Sequence, residues 1–348
     1  METTWFCLLA FMLVMYVVLD GFDLGAGIIH LFVARNDAER RMVLNAIGPV
    51  WDGNEVWLLA AGGTLYFAFP AVYAAAFSGF YLPLIIILWL LMLRGLGIEF
   101  RHQLEHPVWK TFWDGVFFLG STLLAIFFGA ALGNIIRGVP LNREGSFFEP
   151  LWTTFSPFQG GGILDWFTVT LAVVSFCTLT VHGANYIAMK TEGDVQSRAR
   201  KSARNALMGT VLFSVLALAG TIAVRPGVFD NYARHPWGWI FPLCALLALA
   251  GMVHYNRKGG DARAFFSSAF FIAAMLLSTA FGLFPDLLPS SIDPSFSLTA
   301  YTSASGSYAL GIGIIWWSAG MLLALGYFAY LFRSFHGKVG HTGTGEGY

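Results

Sequence analysis

The stretch VVLDGFDLGAG, Val17 to Gly27, decides the fold, because it places two carboxylates inside an apolar run long enough to cross a bilayer. Asp20 and Asp23 are three residues apart, so on a helix they lie about 60° apart and share a face. Gly21 and Gly25 form a GxxxG pattern on the adjoining face, which permits the close approach of another helix. Neither face suits lipid, and we expect this part of the segment to face a protein interior.

The composition is that of a polytopic membrane protein. Of the 348 residues, 57% are hydrophobic and only 11% are charged, which is too little charge to cover a soluble domain. The formal net charge is zero and no long basic or acidic block occurs, so the sequence offers nothing for nucleic acid. We predict one transmembrane domain over residues 1–335 and a disordered, glycine-rich cytoplasmic tail over 336–348.

An all-α fold with nine transmembrane helices follows from the apolar segments, since a span needs about 20 mostly apolar residues. The predicted spans are 4–33, 53–69, 71–93, 112–136, 161–188, 205–224, 238–255, 264–285 and 309–332. Nine spans place 16 of the 20 lysines and arginines on one side, so the positive-inside rule puts the N-terminus outside and the C-terminus in the cytoplasm. Nine helices also allow two four-helix bundles plus one peripheral helix.

A second acidic group opens the second span, in GPVWDGNEVWLLAAGG, Gly48 to Gly63. Asp52 and Glu55 are again i and i+3, while Trp51 and Glu55 are i and i+4, so two acids and an indole face one way. A short connection would bring these acids close to Asp20 and Asp23, as in an entry path for protons or cations. Alternatively, Asp52 and Asn54 merely cap the helix.

Further charged residues end the third span, where LRGLGIEFRH contains Arg94, Glu99 and Arg101. Arg94 can neutralise one of the intramembrane acids, or it can extend to the interface like any basic residue at a helix end. None of the eight histidines forms a ligand pair on one helix, and His182 is interpreted as a hydrogen-bonded core residue. The sequence contains no catalytic, cofactor-binding or metal-binding motif of its own.

Four stretches together resemble subunit II of the bacterial cytochrome bd quinol oxidases. They are DGFDLGAG, ERRMVLNAIGPVWDGNEVWLLAAGGTLYFAFPAVYAAAFSGFY, RGLGIEFR and GNIIRGVPLN, and the likeness covers the whole chain, most densely residues 17–142. The resemblance implies a nine-helix subunit that ligates no haem and supplies part of a cytoplasmic proton route. Asp23 and Asp52 match the family's proton-route carboxylates, with Trp51 beside them, whereas Asp20 and Glu55 are weaker candidates.

The resemblance also implies the setting of the chain. Its partner is a haem-bearing subunit I with b-type haems, haem d and the quinol site, in the bacterial cytoplasmic (inner) membrane; the complex reduces oxygen to water with electrons from the quinol pool. A small single-helix accessory subunit and a structural quinone or lipid are left open. The competing hypotheses are a cation or small-solute transporter that uses the same acids, and a purely structural assembly subunit. A transporter predicts broken helices in corresponding positions of two inverted halves.

Overall fold

The computed structural model describes residues 1–158 and 161–339, which are almost entirely helical. The α-helices are α1 (Glu2–Val33), α2 (Asp37–Ile47), α3 (Trp51–Ala68), α4 (Pro70–Gly79), α5 (Tyr81–Phe100), α6 (Pro107–Arg137), α7 (Trp166–Lys190), α8 (Gly193–Val224), α9 (Asp230–Arg234), α10 (Ile240–Lys258), α11 (Asp261–Leu283) and α12 (Ser307–Ser334). Short 3₁₀ helices at Pro226–Phe229, Pro236–Trp239 and Pro294–Phe296 and a two-stranded hairpin, β1 (Asp286–Leu288) and β2 (Leu298–Thr299), complete the described chain.

Within the described ranges, eight helices are individually long and apolar enough to cross a membrane, and α3 with α4 forms a ninth candidate that bends by 119°. The prediction of one continuous span over 71–93 is therefore wrong, since this segment is divided between α4 and α5. Pro70 and Pro83 each lie in the first turn of a helix, the only part of a helix that tolerates the missing N–H. The two prolines thus favour two new helix starts over one continuous helix.

Helix α2 was not predicted and changes the connection between α1 and α3. Asn36 caps it by accepting a hydrogen bond from the Glu39 amide at 2.9 Å. Its apolar residues Val43, Leu44 and Ile47 are buried in a core cluster with the last turns of α1. The connection therefore folds back against the bundle, so α3 begins beside the last turns of α1.

Helix α1 lies at the centre of the bundle and contacts α3, α6, α7 and α11. Gly25 packs directly on α7, where an added Cβ would lie 2.7 Å from the Gly183 amide nitrogen. Gly21 faces Leu179 of the same helix. The helix that closely approaches the glycine face of α1 is therefore this chain's own α7.

The two ends of the bundle differ in character. Trp5 packs against Phe67 with ring centroids 5.3 Å apart and the rings tilted by 59°, so α3 runs back from the middle of α1 to its first turns. We call this the aromatic end, and the opposite end, where α1 stops at Val33, the basic end. At the aromatic end Arg137 contacts both Glu149 and Asp165, which ties the 138–165 connection to α6 and α7.

The predicted tail begins at residue 336, and residues 340–348 lie outside the described residues. The part before them is attached to the bundle: the Val339 amide donates a hydrogen bond to the Lys190 carbonyl at 2.8 Å.

Candidate functional site

Arg94 joins the two acid pairs into one network. Its Nη1 donates to Asp20 at 2.6 Å and its Nη2 donates to Glu55 at 2.7 Å. The Arg94 and Asp20 side chains have no exposed surface, while Glu55 keeps 24% of its side chain exposed. Of the two alternatives for Arg94, the structure therefore shows the neutralising one: α5 brings a guanidinium between an acid of α1 and an acid of α3.

Asp23 accepts a hydrogen bond from a residue that was not among the predicted site residues. The side-chain amide of Asn54 donates to the Asp23 carboxylate at 2.7 Å, and both side chains are fully buried. The capping alternative for Asp52 and Asn54 is wrong, because Val50 is the N-cap residue of α3 and no side chain caps it. Asn54 could have been noticed as an amide four residues after the N-cap, one turn into an apolar helix.

Asp52 and Trp51 lie at the entrance of this network. Asp52 is in the first turn of α3 and is exposed on this chain. It is three residues before Glu55, which places both acids on one helix face. The Trp51 ring lies 6.0 Å from the Arg94 guanidinium and packs against Gly95, where an added Cβ would meet the ring at 3.3 Å. Trp51 thus covers the guanidinium on one side.

The network holds more acid than base. It contains three carboxyl groups and one guanidinium: Arg94 binds Asp20 and Glu55, while Asp23 is bound by the neutral amide of Asn54. A buried carboxylate without a counter-charge costs several kcal/mol. Atoms of four buried side chains have no partner among the described residues: Asp20 Oδ2, Asp23 Oδ1, Asn54 Oδ1 and Arg94 Nε. The carboxylate and amide oxygens lack a donor and the Arg94 Nε–H lacks an acceptor, so each of these atoms has hydrogen-bonding capacity left for a water molecule.

Glu99 and Arg101, the other predicted charge partners, do not join this network. Glu99 is exposed, and no ion pair involves it in the part of the chain that the structure describes. Arg101 belongs to a second network at the basic end, centred on the fully buried Asp114 of α6. Asp114 accepts from Arg101 at 2.6 Å, from Arg40 at 2.8 Å and pairs with His30 at 2.7 Å.

The second network extends to the surface through Asp37, which accepts from Arg101 at 2.7 Å and from Lys110 at 3.2 Å. These hydrogen bonds and charges outweigh partial burial and lower the pKa of Asp37. Since α1, α2, α5 and α6 all contribute, the network fastens the basic end together. Its sequence signal was weak, because its members come from four separate segments.

Two buried histidines, His182 and His30, are both held by contacts within the protein. His182 contacts Ser268 through Nδ1 at 2.7 Å and the Val18 carbonyl through Nε2 at 2.9 Å, as expected of a hydrogen-bonded core histidine. His30 Nε2 is already engaged by Asp114. Within residues 1–158 and 161–339 no group of three or more His, Cys, Asp or Glu side chains is arranged to hold a metal ion.

Fold and site together define a multi-pass helical membrane protein with a buried acid–arginine network. Its fold is that of a bd oxidase chain from Geobacillus thermodenitrificans: the two superpose with a TM-score of 0.73 over 96% of this chain and 98% of the other, at 19% identity.

Residues 1–335 match the family described as cytochrome bd terminal oxidase subunit II, and the chain belongs to that family. It is 33% identical to the cytochrome bd-I ubiquinol oxidase subunit 2 of Escherichia coli, over 96% of this chain and 94% of the relative. It is 34% identical to the cytochrome bd ubiquinol oxidase subunit 2 of Bacillus subtilis, over 88% of each chain. A probable cytochrome oxidase subunit 2 of Haemophilus influenzae is 32% identical over 96% of this chain.

Proposed function

We propose that this chain is the subunit of a quinol-oxidising oxygen reductase that admits protons from the cytoplasm, through Asp52, Glu55, Asp20 and Asp23. The observation that carries the proposal is the gradient of burial along these acids. Asp52 is exposed, Glu55 is 24% exposed, and Asp20 and Asp23 are fully buried. Each acid is within one helical turn of the next or shares Arg94 with it.

Each residue has a defined task in this route. Asp52 collects protons at the surface of the chain, and Glu55 exchanges them with Asp20 across Arg94. Arg94 holds one oxygen of each carboxyl through its two Nη nitrogens, so one guanidinium joins the two acids. Asn54 orients Asp23 by donating to one of its oxygens, which leaves the other oxygen for the proton. Asp23 is then the last acid in this chain before the partner.

Sidedness gives the route its direction. Both acid networks lie towards the basic end, and the excess of lysine and arginine there favours the cytoplasm. The N-terminus is then outside and the C-terminus inside. Two four-helix bundles plus a peripheral helix are compatible with the nine candidate spans.

The setting follows from the relatives. Because similar chains are named ubiquinol oxidase subunits, we place this chain in the bacterial inner membrane beside a haem-bearing subunit I. Haem b, haem d and the quinol belong to that partner, where they would carry out electron transfer to oxygen. This chain supplies protons and support. A small accessory subunit and a bound quinone or lipid are compatible with the exposed helix faces.

The test compares acid-to-amide variants of the purified oxidase complex. Asp23→Asn should reduce quinol-dependent oxygen consumption at least ten-fold while the haem spectrum and the subunit ratio stay as in the wild type, because the change keeps the shape and removes the proton acceptor. Asp52→Asn should reduce it less, since other surface acids and water deliver protons to Glu55. Glu99→Gln is the matched control, since it neutralises an exposed acid outside the network.

Three results separate the hypotheses. Full activity in Asp23→Asn would show that the protons enter elsewhere. Loss of haem together with activity would favour a purely structural subunit. Cation or solute uptake by the chain reconstituted alone would favour a transporter, although the described residues contain one bent helix pair, α3 with α4, and not the two that inverted halves predict.

A further inference from the structure

A groove between α8 and α10 shares no residue with the acid–arginine network. It has a volume of about 570 Å³. Its apolar wall consists of Val211 from α8 and Leu246, Leu249 and Val253 from α10. Towards the basic end the lining changes to His254, Arg257 and Lys258.

The spacing makes this a single stripe along α10. From Leu246 the lining residues follow at i+3, i+7, i+8, i+11 and i+12, which keeps them on one face. Between Leu246 and Arg257 the helix rises about 17 Å, close to the roughly 15 Å of hydrocarbon in one leaflet. The apolar part therefore matches the depth of an acyl chain, and the basic part falls where a headgroup lies.

The cations of the groove have no acidic partner in the described part of the chain. Across the described ranges, no ion pair involves Arg257, Lys258 or His254. The nearest acid in the sequence, Asp261, is bound by Arg200 at 2.6 Å and by Gln196 at 2.9 Å. Arg257 and Lys258 are both exposed. The groove thus presents a positive charge of about two at headgroup depth beside an apolar channel.

We propose that this groove binds an anionic phospholipid, with one acyl chain along Leu246, Leu249 and Val253 and the phosphate group between Arg257 and Lys258. A zwitterionic lipid would bring its own ammonium group to the same cations, so the groove distinguishes lipids by net charge. Near a membrane surface each lysine or arginine strengthens binding of an anionic lipid about five-fold, and two strengthen it about thirty-fold.

The experiment titrates the detergent-purified complex with phosphatidylglycerol or phosphatidylethanolamine of the same acyl chains and counts bound lipids by native mass spectrometry. Wild-type protein should retain at least one phosphatidylglycerol about thirty-fold more tightly than phosphatidylethanolamine. The variant Arg257→Gln with Lys258→Gln should lose this preference. The control Arg35→Gln with Arg333→Gln removes two exposed cations elsewhere at the basic end and should keep it.

The occupant of the groove is checked with a photo-crosslinking amino acid at Leu246, a residue that is 65% exposed on this chain. In membranes it should form lipid adducts. A crosslink to another polypeptide would overturn the proposal by showing that a protein covers the groove. Equal affinity for both lipids, or an unchanged preference in the Arg257 and Lys258 variant, would overturn it as well.

Discussion

Replacing Arg94 removes the cation that Asp20 and Glu55 share. In Arg94→Gln, Asp20 keeps its burial but loses its 2.6 Å partner, and Glu55 loses its 2.7 Å partner. An aspartic acid that takes up a proton in order to stay buried costs about 1.4 kcal/mol for each pH unit above its ordinary pKa of about 3.9. At pH 7 that is about 4 kcal/mol, within the range of about 3–5 kcal/mol found when one partner of a buried ion pair is removed.

This destabilisation should depend on pH and should be relieved by a second substitution. Because protonation relieves it, the destabilisation of Arg94→Gln should shrink by about 1.4 kcal/mol per pH unit and reach about 1–2 kcal/mol at pH 5. Adding Asp20→Asn should restore most of the stability at pH 7. The assay is denaturant or thermal unfolding of the complex in nanodiscs, followed by intrinsic tryptophan fluorescence, at pH 5, 6 and 7.

A loss that does not depend on pH, or one that Asp20→Asn does not relieve, would refute this account. Arg94 would then act through packing against Trp51. Lys at position 94 is a useful intermediate, since it keeps the charge but cannot reach Asp20 and Glu55 together through two separate nitrogens.

Gly25→Ala should destabilise the protein by more than about 3 kcal/mol, measured by thermal unfolding, because its Cβ would meet the α7 backbone; Gly115→Ala, with nothing within 4 Å, should be neutral or stabilising. Burial raises the pKa of Glu149 to about 7. The charge of Asp165 also raises this pKa, whereas the contact with Arg137 lowers it. Because this pKa lies above the ordinary value of 4.5, the contribution of Glu149 to the free energy of unfolding is fully present below pH 4.5 and falls by about 3 kcal/mol as the pH rises through 7. The variant Glu149→Gln should abolish that fall in unfolding measurements. Asp114→Asn should cost about 3–5 kcal/mol in the same assay, because it leaves the buried Arg101 with Asp37 alone as a charged partner.

Each of these has an outcome that would contradict it. Equal stability of the two alanine variants would mean that α1 and α7 can separate without cost. A wild-type protein whose stability is flat between pH 5 and 8 would show that Arg137 outweighs burial at Glu149. An Asp114→Asn variant as stable as Glu99→Gln would show that water replaces the lost partner of Arg101.

The sequence predicted the apolar spans well, because a bilayer demands about 20 apolar residues and leaves a strong signal. The sequence was less informative where the structure depends on contacts between residues that are far apart in the chain. Proline near residue 83 divides a hydrophobic run that composition alone reads as one helix. Helix α2 is amphipathic and short, so its burial depends on α1 and α7, which no local pattern reveals.

The candidate site was predicted in part for the same reason. The i, i+3 spacing was sufficient to place Asp20 and Asp23 on one face, and Arg94 was among the predicted partners. The hydrogen-bond partners depend on the depth at which α3 begins. Asn54 donates to Asp23, and Arg94 donates to both Asp20 and Glu55. That depth is set by the folding back of α2, so no motif could have shown it.

The inward start of α3 also has an electrical consequence. It brings Asn54 to Asp23, which lies about 8 Å from the midpoint of α1, on the side of the basic end. In a hydrocarbon layer of about 30 Å, that position is about a quarter of the way in from the basic end. A proton that reaches Asp23 from that end crosses about a quarter of the membrane potential, worth roughly 0.6 kcal/mol per 100 mV. If protons reach Asp23 from the basic end, as proposed, its proton occupancy varies with voltage. A potential that is positive at the basic end favours filling of the site, and one that is negative there disfavours it.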